Sequence, residues 1–253
     1  MRLTSGDTSR HIVLFEYQPS RSSEHPKRFL ESFKGYLHTD GYAGYHALPG
    51  ITVIGCWVHM RRKFENVVKA AGSDAPDSSA REAIRRLGAL FHLEDLWQNL
   101  TPAERHEKRL KEGEPLAEAF FAWLETLRVL PKMPMGEAIS YALGQRRWLM
   151  NVYLDGRTEL SNNRAENAVR PFAVGRKNWL FCDSVKGAKA SAIVYSIIET
   201  AKANGLKPFE YLKFLFESMP NTTTGKLDEL LPWGGSVPVC CRMPAIKEVA
   251  HCA

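Results

Sequence analysis

Tyr36-Leu37-His38-Thr39-Asp40-Gly41 is four residues of strand character stopped by an acid and a glycine, the signature of a β-strand running into a turn. Downstream, Ile51-Thr52-Val53-Ile54-Gly55-Cys56-Trp57 is a second apolar, β-branched run, and upstream His11-Ile12-Val13-Leu14-Phe15-Glu16-Tyr17 is a third, closed by Pro19 and Ser20. Helical patterns lie between them: Phe29 and Phe33 at helical spacing within Pro26 to Phe33, and a short helix around Tyr42 to Leu48. Strands alternating with helices predict an α/β sheet with parallel pairs, and such sheets carry their sites at the carboxyl ends of strands. Asp40 stands at one such end.

From His59 the pattern turns helical, and His59 to Val68 is amphipathic with Arg61, Arg62 and Lys63 at its start. Gly72 to Ser79 reads as a linker, rich in Gly, Asp, Pro and Ser. Residues 79–155 hold no strand pattern. Thr101-Pro102-Ala103-Glu104 predicts a capping box with proline at the first helical position. Leu116, Phe120, Leu124 and Leu127 follow at core spacing, and a further helix is predicted from Gly136 to Tyr153. This block reads as an all-helical insertion, giving segments 1–78, 79–155, 156–219 and 220–253.

A second acid follows the insertion, in Ser161-Asn162-Asn163-Arg164-Ala165-Glu166-Asn167-Ala168-Val169-Arg170. On a helix, Asn163, Glu166 and Arg170 share one face, because residues three and four apart are neighbours. The pattern also suits a plain helix start, with Asn163 as N-cap and Glu166 as its capping-box partner; Asp40 as a second acid favours a site. Pro171 predicts a boundary or kink, Trp179-Leu180-Phe181 an extended piece, and Ala188 to Ala203 a helix ended by Asn204-Gly205. Phe209 to Phe216 predicts a last helix, and beyond Pro220 the periodicity decays into what reads as a peripheral, irregular tail.

The chain has 253 residues, 44% of them apolar, enough to fill a substantial core. Its 34 basic and 28 acidic residues give a net charge of +6 and a pI near 9.1, which suits a polyanionic partner without demanding one. The first residues lack the apolar core of a secretory signal, and the longest apolar stretches, such as Ile51 to Val58, fall far short of a membrane span. Five scattered cysteines do not form a disulfide framework, so a cytoplasmic, reducing setting is expected. Cys56-x-x-His59 lacks the second ligand pair of a zinc site, so Cys56 reads as buried and His59 as facing an active site or DNA. Cys240-Cys241 with His251 and Cys252 is equally incomplete.

Two carboxylates in polar, Arg-rich settings suit a hard cation. Mg²⁺ is held by one or two carboxylates, with waters and substrate phosphates completing its shell, and guanidinium groups fork onto phosphates. Arg164, Arg170, Arg176 and Lys177 are candidates for those contacts, and Trp179 reads either as a base-stacking residue or as core.

Asp40-Gly41-Tyr42-Ala43-Gly44-Tyr45, Gly55-Cys56-Trp57-Val58-His59-Met60-Arg61-Arg62-Lys63-Phe64, Asn162-Asn163-Arg164-Ala165-Glu166 and Gly175-Arg176-Lys177-Asn178-Trp179-Leu180-Phe181 together resemble bacterial transposases of the insertion-sequence-66 family. The likeness runs from about Phe15 to Trp233. It implies an α/β, ribonuclease-H-like mixed sheet, a DDE triad with Asp40 as its second Asp and Glu166 as its Glu, and residues 79–155 as the helical insertion such enzymes carry. It further implies two Mg²⁺ ions, cleavage at transposon ends and attack of the freed 3′-hydroxyl on target DNA. Arg61, Arg62, Lys63, Arg164, Arg170, Arg176 and Lys177 would be the DNA-binding residues, and His59, Asn162 and Asn163 neighbours of the acids. A full-length homo-oligomer in the bacterial cytoplasm, associated with the nucleoid, is expected.

The family's first Asp belongs to an Asp-Glu-Thr segment upstream of the part matching Phe15-Glu16-Tyr17-Gln18-Pro19, and no counterpart is found here; Asp7 stands in the wrong place. The N-terminal DNA-recognition and zinc-binding segments are also without counterpart, and Ser161 stands where the family often has Asp. The sheet of this chain is therefore expected to be incomplete. The competing expectation is a catalytically inactive remnant that only binds DNA or dimerises.

Overall fold

The computed structural model describes residues 2–4, 10–46, 48–72, 78–179 and 182–244, with 2–4 and 176–179 as backbone alone. In chain order it contains β1 (Arg2–Thr4), β2 (Val13–Phe15), α1 (Glu24–Phe29), β3 (Gly35–Thr39), β4 (Ile51–Gly55), α2 (Trp57–Ala71), α3 (Ser79–Leu96), α4 (Pro102–Lys108), α5 (Glu114–Thr126), α6 (Pro134–Met150), α7 (Asn163–Trp179), α8 (Val185–Ala203) and α9 (Pro208–Ser218). The class is α/β with helix predominating. The strands form two two-stranded sheets rather than one mixed sheet: β1 and β2 pair antiparallel, and β3 and β4 pair parallel. The chain divides into two compact units, Arg21–Asn162 and Met1–Ser20 with Asn163–Ala253.

In the unit Arg21–Asn162, β3 and β4 are in register from Gly35 opposite Ile51 to Thr39 opposite Gly55. Both therefore end at one edge, where Asp40 follows β3 and α2 follows β4. Residues 79–155 do not form a core of their own. Ile54, Trp57, Met60 and Phe64 of β4 and α2 share one buried cluster with Leu87 of α3, Phe120, Phe121 and Leu124 of α5 and Leu149 of α6. Each such side chain contributes about 1.5–3 kcal/mol on full burial, so α2 and the helical block stabilise each other. Trp57 is wholly buried, donates from Nε1 to Leu149 O at 3.0 Å, and from its backbone N to Leu160 O at 2.9 Å. Gly55 permits the approach of α6: a Cβ there would lie 3.0 Å from the Leu149 backbone nitrogen. On α5 the buried positions are Ala117, Phe120, Phe121 and Leu124, while Leu116, expected in the core, is exposed. The buried stripe is rotated because Phe121, the larger residue, faces inward.

In the other unit, β2 bonds to β1 on one edge and to α8 on the other. Ser196 and Thr200 on α8 and Asn204 at its C-terminal cap, spaced four residues apart, accept from the backbone N–H groups of Phe15, Val13 and His11 at 2.8, 3.0 and 3.3 Å. The outer edge of β2 is thus covered, which removes a template for aggregation. Of the two outcomes predicted at Pro171, a boundary or a kink, the boundary does not occur: α7 continues through it to Trp179. Proline removes one backbone donor and crowds the preceding turn, a cost of about 3 kcal/mol. Packing of the next residue offsets it: the Phe172 ring lies 4.9 Å from that of Tyr195 and 6.1 Å from that of Phe15. Trp179 is helical rather than extended, and Leu180 and Phe181 lie outside the described residues.

The tail is irregular, as its sequence suggests, but it is not peripheral. Leu230, Val237 and Cys241 are buried with Ala201, Leu206, Tyr211 and Leu215 in a second core. Tyr211 donates its hydroxyl to Leu230 O at 2.8 Å, and Lys207 N and Met243 N donate to Cys241 O and Gly205 O at 2.7 Å. Small apolar groups spaced without periodicity fill the end of the α8–α9 pair, which pattern reading does not detect. No helix among the described residues is long and apolar enough to cross a membrane.

Candidate active site

Asp40 is exposed and occupies the turn leaving β3. Its Oδ1 accepts the Tyr42 backbone N–H at 3.3 Å, and Thr39 Oγ1 lies 3.5 Å from the Gly41 nitrogen that donates to it. Gly41 takes φ +89°, a left-handed conformation that a side chain at this position would strain. The same edge carries His38, whose Nε2–H donates across the sheet to Gly55 O at 3.1 Å. Burial, opposed by that bond and aided by the nearby His59, lowers the His38 pKa to about 4. His38 is therefore a neutral clasp between the two strand ends.

The unit Arg21–Asn162 brings several sequence-predicted residues to this edge. His59 is half-buried in the first turn of α2. Lys63, one turn on, is exposed with its Nζ 4.9 Å from the centre of the Tyr141 ring. Arg62 is exposed, whereas Arg61 bonds Glu65 at 2.9 Å and lies over the Phe91 ring, tying α2 to α3. The bond from Trp57 N to Leu160 O carries the chain at 160–162 past the end of β4. Asn162, two residues on, is buried, and its Oδ1 accepts no hydrogen bond among the described residues.

Glu166 belongs to the other unit, half-buried in the first turn of α7, with Asn163 and Arg170 exposed at the same helical spacing. Arg164 lines a cavity of about 300 Å³ with His11, Val13, Asn167, Glu199 and Lys202. Glu199, buried, pairs with Lys202 at 2.8 Å, so the basic groups there are partly balanced. Arg176 and Lys177 lie on α7, with side chains outside the described residues, as is the Trp179 side chain. Cys56 is buried, and among the described residues no three His, Cys, Asp or Glu side chains cluster as a metal cage. The donors present are hard oxygens, the Asp40 and Glu166 carboxylates and the unbonded amide oxygen of Asn162. Each is of the hard-oxygen type that Mg²⁺ takes, with water and phosphate in the rest of its shell, unlike the His and Cys ligands of zinc.

Sequence reasoning missed the contribution of α6. Tyr141, Gln145 and Trp148 lie at i, i+4 and i+7 on one face. Tyr141 donates its hydroxyl to Asp40 O at 3.5 Å, and a Cβ at Gly41 would stand 3.0 Å from that hydroxyl and 3.2 Å from Gln145 Oε1. Trp148 stacks on His46, with ring centres 3.7 Å apart. The spacing is visible in the sequence, but the surface it meets is not.

In comparisons with known proteins, residues 1–190 match the description Transposase IS66 family, and residues 196–233 match the IS66 C-terminal element. The uncharacterized proteins y4qI and y4hP of Sinorhizobium fredii are 32% identical over 241 residues and 30% identical over 247. Each alignment covers 90% of this chain and 44% of the relative, so the chain spans less than half the length of these relatives. A third protein of that organism, y4jD, is 31% identical over 87% of this chain and 45% of its own length. No solved structure matches the chain.

Proposed function

This chain belongs to the IS66 transposase family, and from that premise we propose that it forms the greater part of a metal-dependent DNA strand-transferase core with a ribonuclease-H-like arrangement. The observation that carries the reading is Asp40 at the carboxyl end of a parallel strand pair, at the edge that the chain passes on its way into Asn162-Asn163-Arg164-Ala165-Glu166. Asp40 and Glu166 would hold the metal, as the second Asp and the Glu of a DDE set. When bound, Mg²⁺ lowers the charge barrier to attack on a phosphodiester and steadies the departing oxygen.

The protein's own part is placement. Asp40 presents an exposed carboxylate with one oxygen facing the Tyr42 N–H at 3.3 Å. Arg61, Arg62, Lys63, Arg164, Arg170, Arg176 and Lys177 serve as sequence-independent contacts to the DNA backbone. The neutral His38 keeps the ends of β3 and β4 together without adding charge next to Asp40.

The experiment joins the sequence that y4qI has outside the aligned region to this chain and incubates the product with transposon-end DNA and Mg²⁺. Nicking is expected, with Asp40→Asn and Glu166→Gln each lowering its rate about a hundred-fold or more, the scale for losing one electrostatic stabiliser of a transition state. Nicking that survives both substitutions would overturn the assignment of the acids. DNA binding without nicking in the joined protein would favour the inactive, DNA-binding remnant.

A further inference from the structure

We propose that Tyr141 is a positioning residue that braces the Asp40 turn through its hydroxyl and seats Lys63 for the nucleic-acid backbone through its ring; this rests on Asp40 being a metal ligand. The turn is held by contacts that are each long for a hydrogen bond: the Tyr42 N–H reaches Asp40 Oδ1 at 3.3 Å, the Gly41 N–H reaches Thr39 Oγ1 at 3.5 Å and the Tyr141 hydroxyl reaches Asp40 O at 3.5 Å, while Gly41 adds backbone freedom; the Tyr141 contact differs in coming from another element, packed against Gly41. A carboxylate that must meet a cation at fixed distance needs an outside support.

α6 supplies one, because its C-terminal end, Asn151 included, is fixed to β4 and to the first residue of α2. Leu149 O accepts from Trp57 Nε1 at 3.0 Å, Asn151 Nδ2 donates to Val53 O at 2.7 Å, and Gly55 lets the helix backbone come close. The face of α6 so fixed carries Trp148 onto His46, at the end of the segment that Asp40 begins, and Tyr141 onto Asp40 itself. Lys63 lies over the Tyr141 ring, with Nζ 4.9 Å from its centre. One side chain thus joins a metal-ligand candidate and a phosphate-contact candidate that are otherwise on separate elements.

The test uses the full chain, with Mn²⁺ alone as the metal probe and a double-stranded oligonucleotide as the DNA probe. Tyr141→Phe keeps the ring and loses the hydroxyl; Tyr141→Leu loses both. In metal-free protein, the NMR order parameters of the Gly41 and Tyr42 amides should fall in Tyr141→Phe from the rigid range, about 0.85, toward the flexible range, below about 0.6. Paramagnetic broadening of Gly41 by Mn²⁺ should then need about two- to ten-fold more metal, the change that one hydrogen bond carries. DNA binding should stay as in wild type for Tyr141→Phe and weaken about two- to five-fold for Tyr141→Leu, as loss of a cation–π contact implies. Unchanged order parameters in Tyr141→Phe overturn the brace, and equal DNA affinity in the two variants overturns the seating of Lys63. Asp40→Asn separates this outcome from the underlying reading: Mn²⁺ broadening that persists in that variant, or is absent from wild type, sinks Asp40 as a ligand and leaves the order-parameter result to judge Tyr141.

Discussion

His38 sits two residues before the candidate ligand and carries its own pH signature. Its folded pKa of about 4 lies below the ordinary value of 6.5, with burial as the main cause, so folding favours the neutral ring. The unfolded chain takes up a proton as pH falls through about 6.5, while the folded chain resists until about pH 4. The stability that His38 permits is therefore complete above about pH 6.5 and lost progressively down to about 4, by up to about 3 kcal/mol. Urea unfolding across that window should show the loss in wild type and a shallower one in His38→Gln; equal slopes would contradict this assignment.

Arg109 is the other residue with an outsized role. Its guanidinium is buried, bidentate to Glu94 at 2.7 Å for both bonds, and bonded to Val152 O, Asp155 O and both Thr158 oxygens between 2.8 and 3.3 Å. Replacing it by Met should cost about 3–5 kcal/mol, because the Glu94 carboxylate is left without its buried partner and Thr158 O loses a donor. Adding Glu94→Leu should recover part of that loss in urea unfolding, and a cost below about 1 kcal/mol for Arg109→Met would contradict the role.

At the scale of elements, what was legible was local. The capping box at Thr101 forms as written: Thr101 Oγ1 accepts the Glu104 N–H at 3.3 Å, and Glu104 Oε2 accepts the Thr101 N–H at 2.9 Å. Gly205 ends the helix run at φ +70°, and β3 stops before Asp40-Gly41 as turn chemistry requires. α7 ran past Pro171 because an aromatic contact between residues distant in sequence outweighed a local rule. Arg109 escaped notice for a similar reason: it opens a π-helical turn, Arg109–Gly113, between α4 and α5, and its partners are 15 to 49 residues away. The acids of the candidate site were visible from their motifs, whereas the α6 face beside Asp40 depends on how a helix 101 residues away docks on β4.

At the scale of the molecule, the two carboxylates fall in different compact units, Asp40 in one and Glu166 in the other. The chain also spans only 44% of the relatives y4qI and y4hP. In the proposed reading each unit contributes one ligand to a metal, and a net charge of +6 suits a polyanionic partner. The central claim, that Asp40 and Glu166 hold one ion, is tested most directly by crystals of the chain soaked with Mn²⁺ and read by anomalous difference density. The account predicts a peak about 2.1 Å from a carboxylate oxygen of each residue, absent from crystals of Asp40→Asn. Carboxylates turned to opposite faces, or a peak bound by neither, would contradict it.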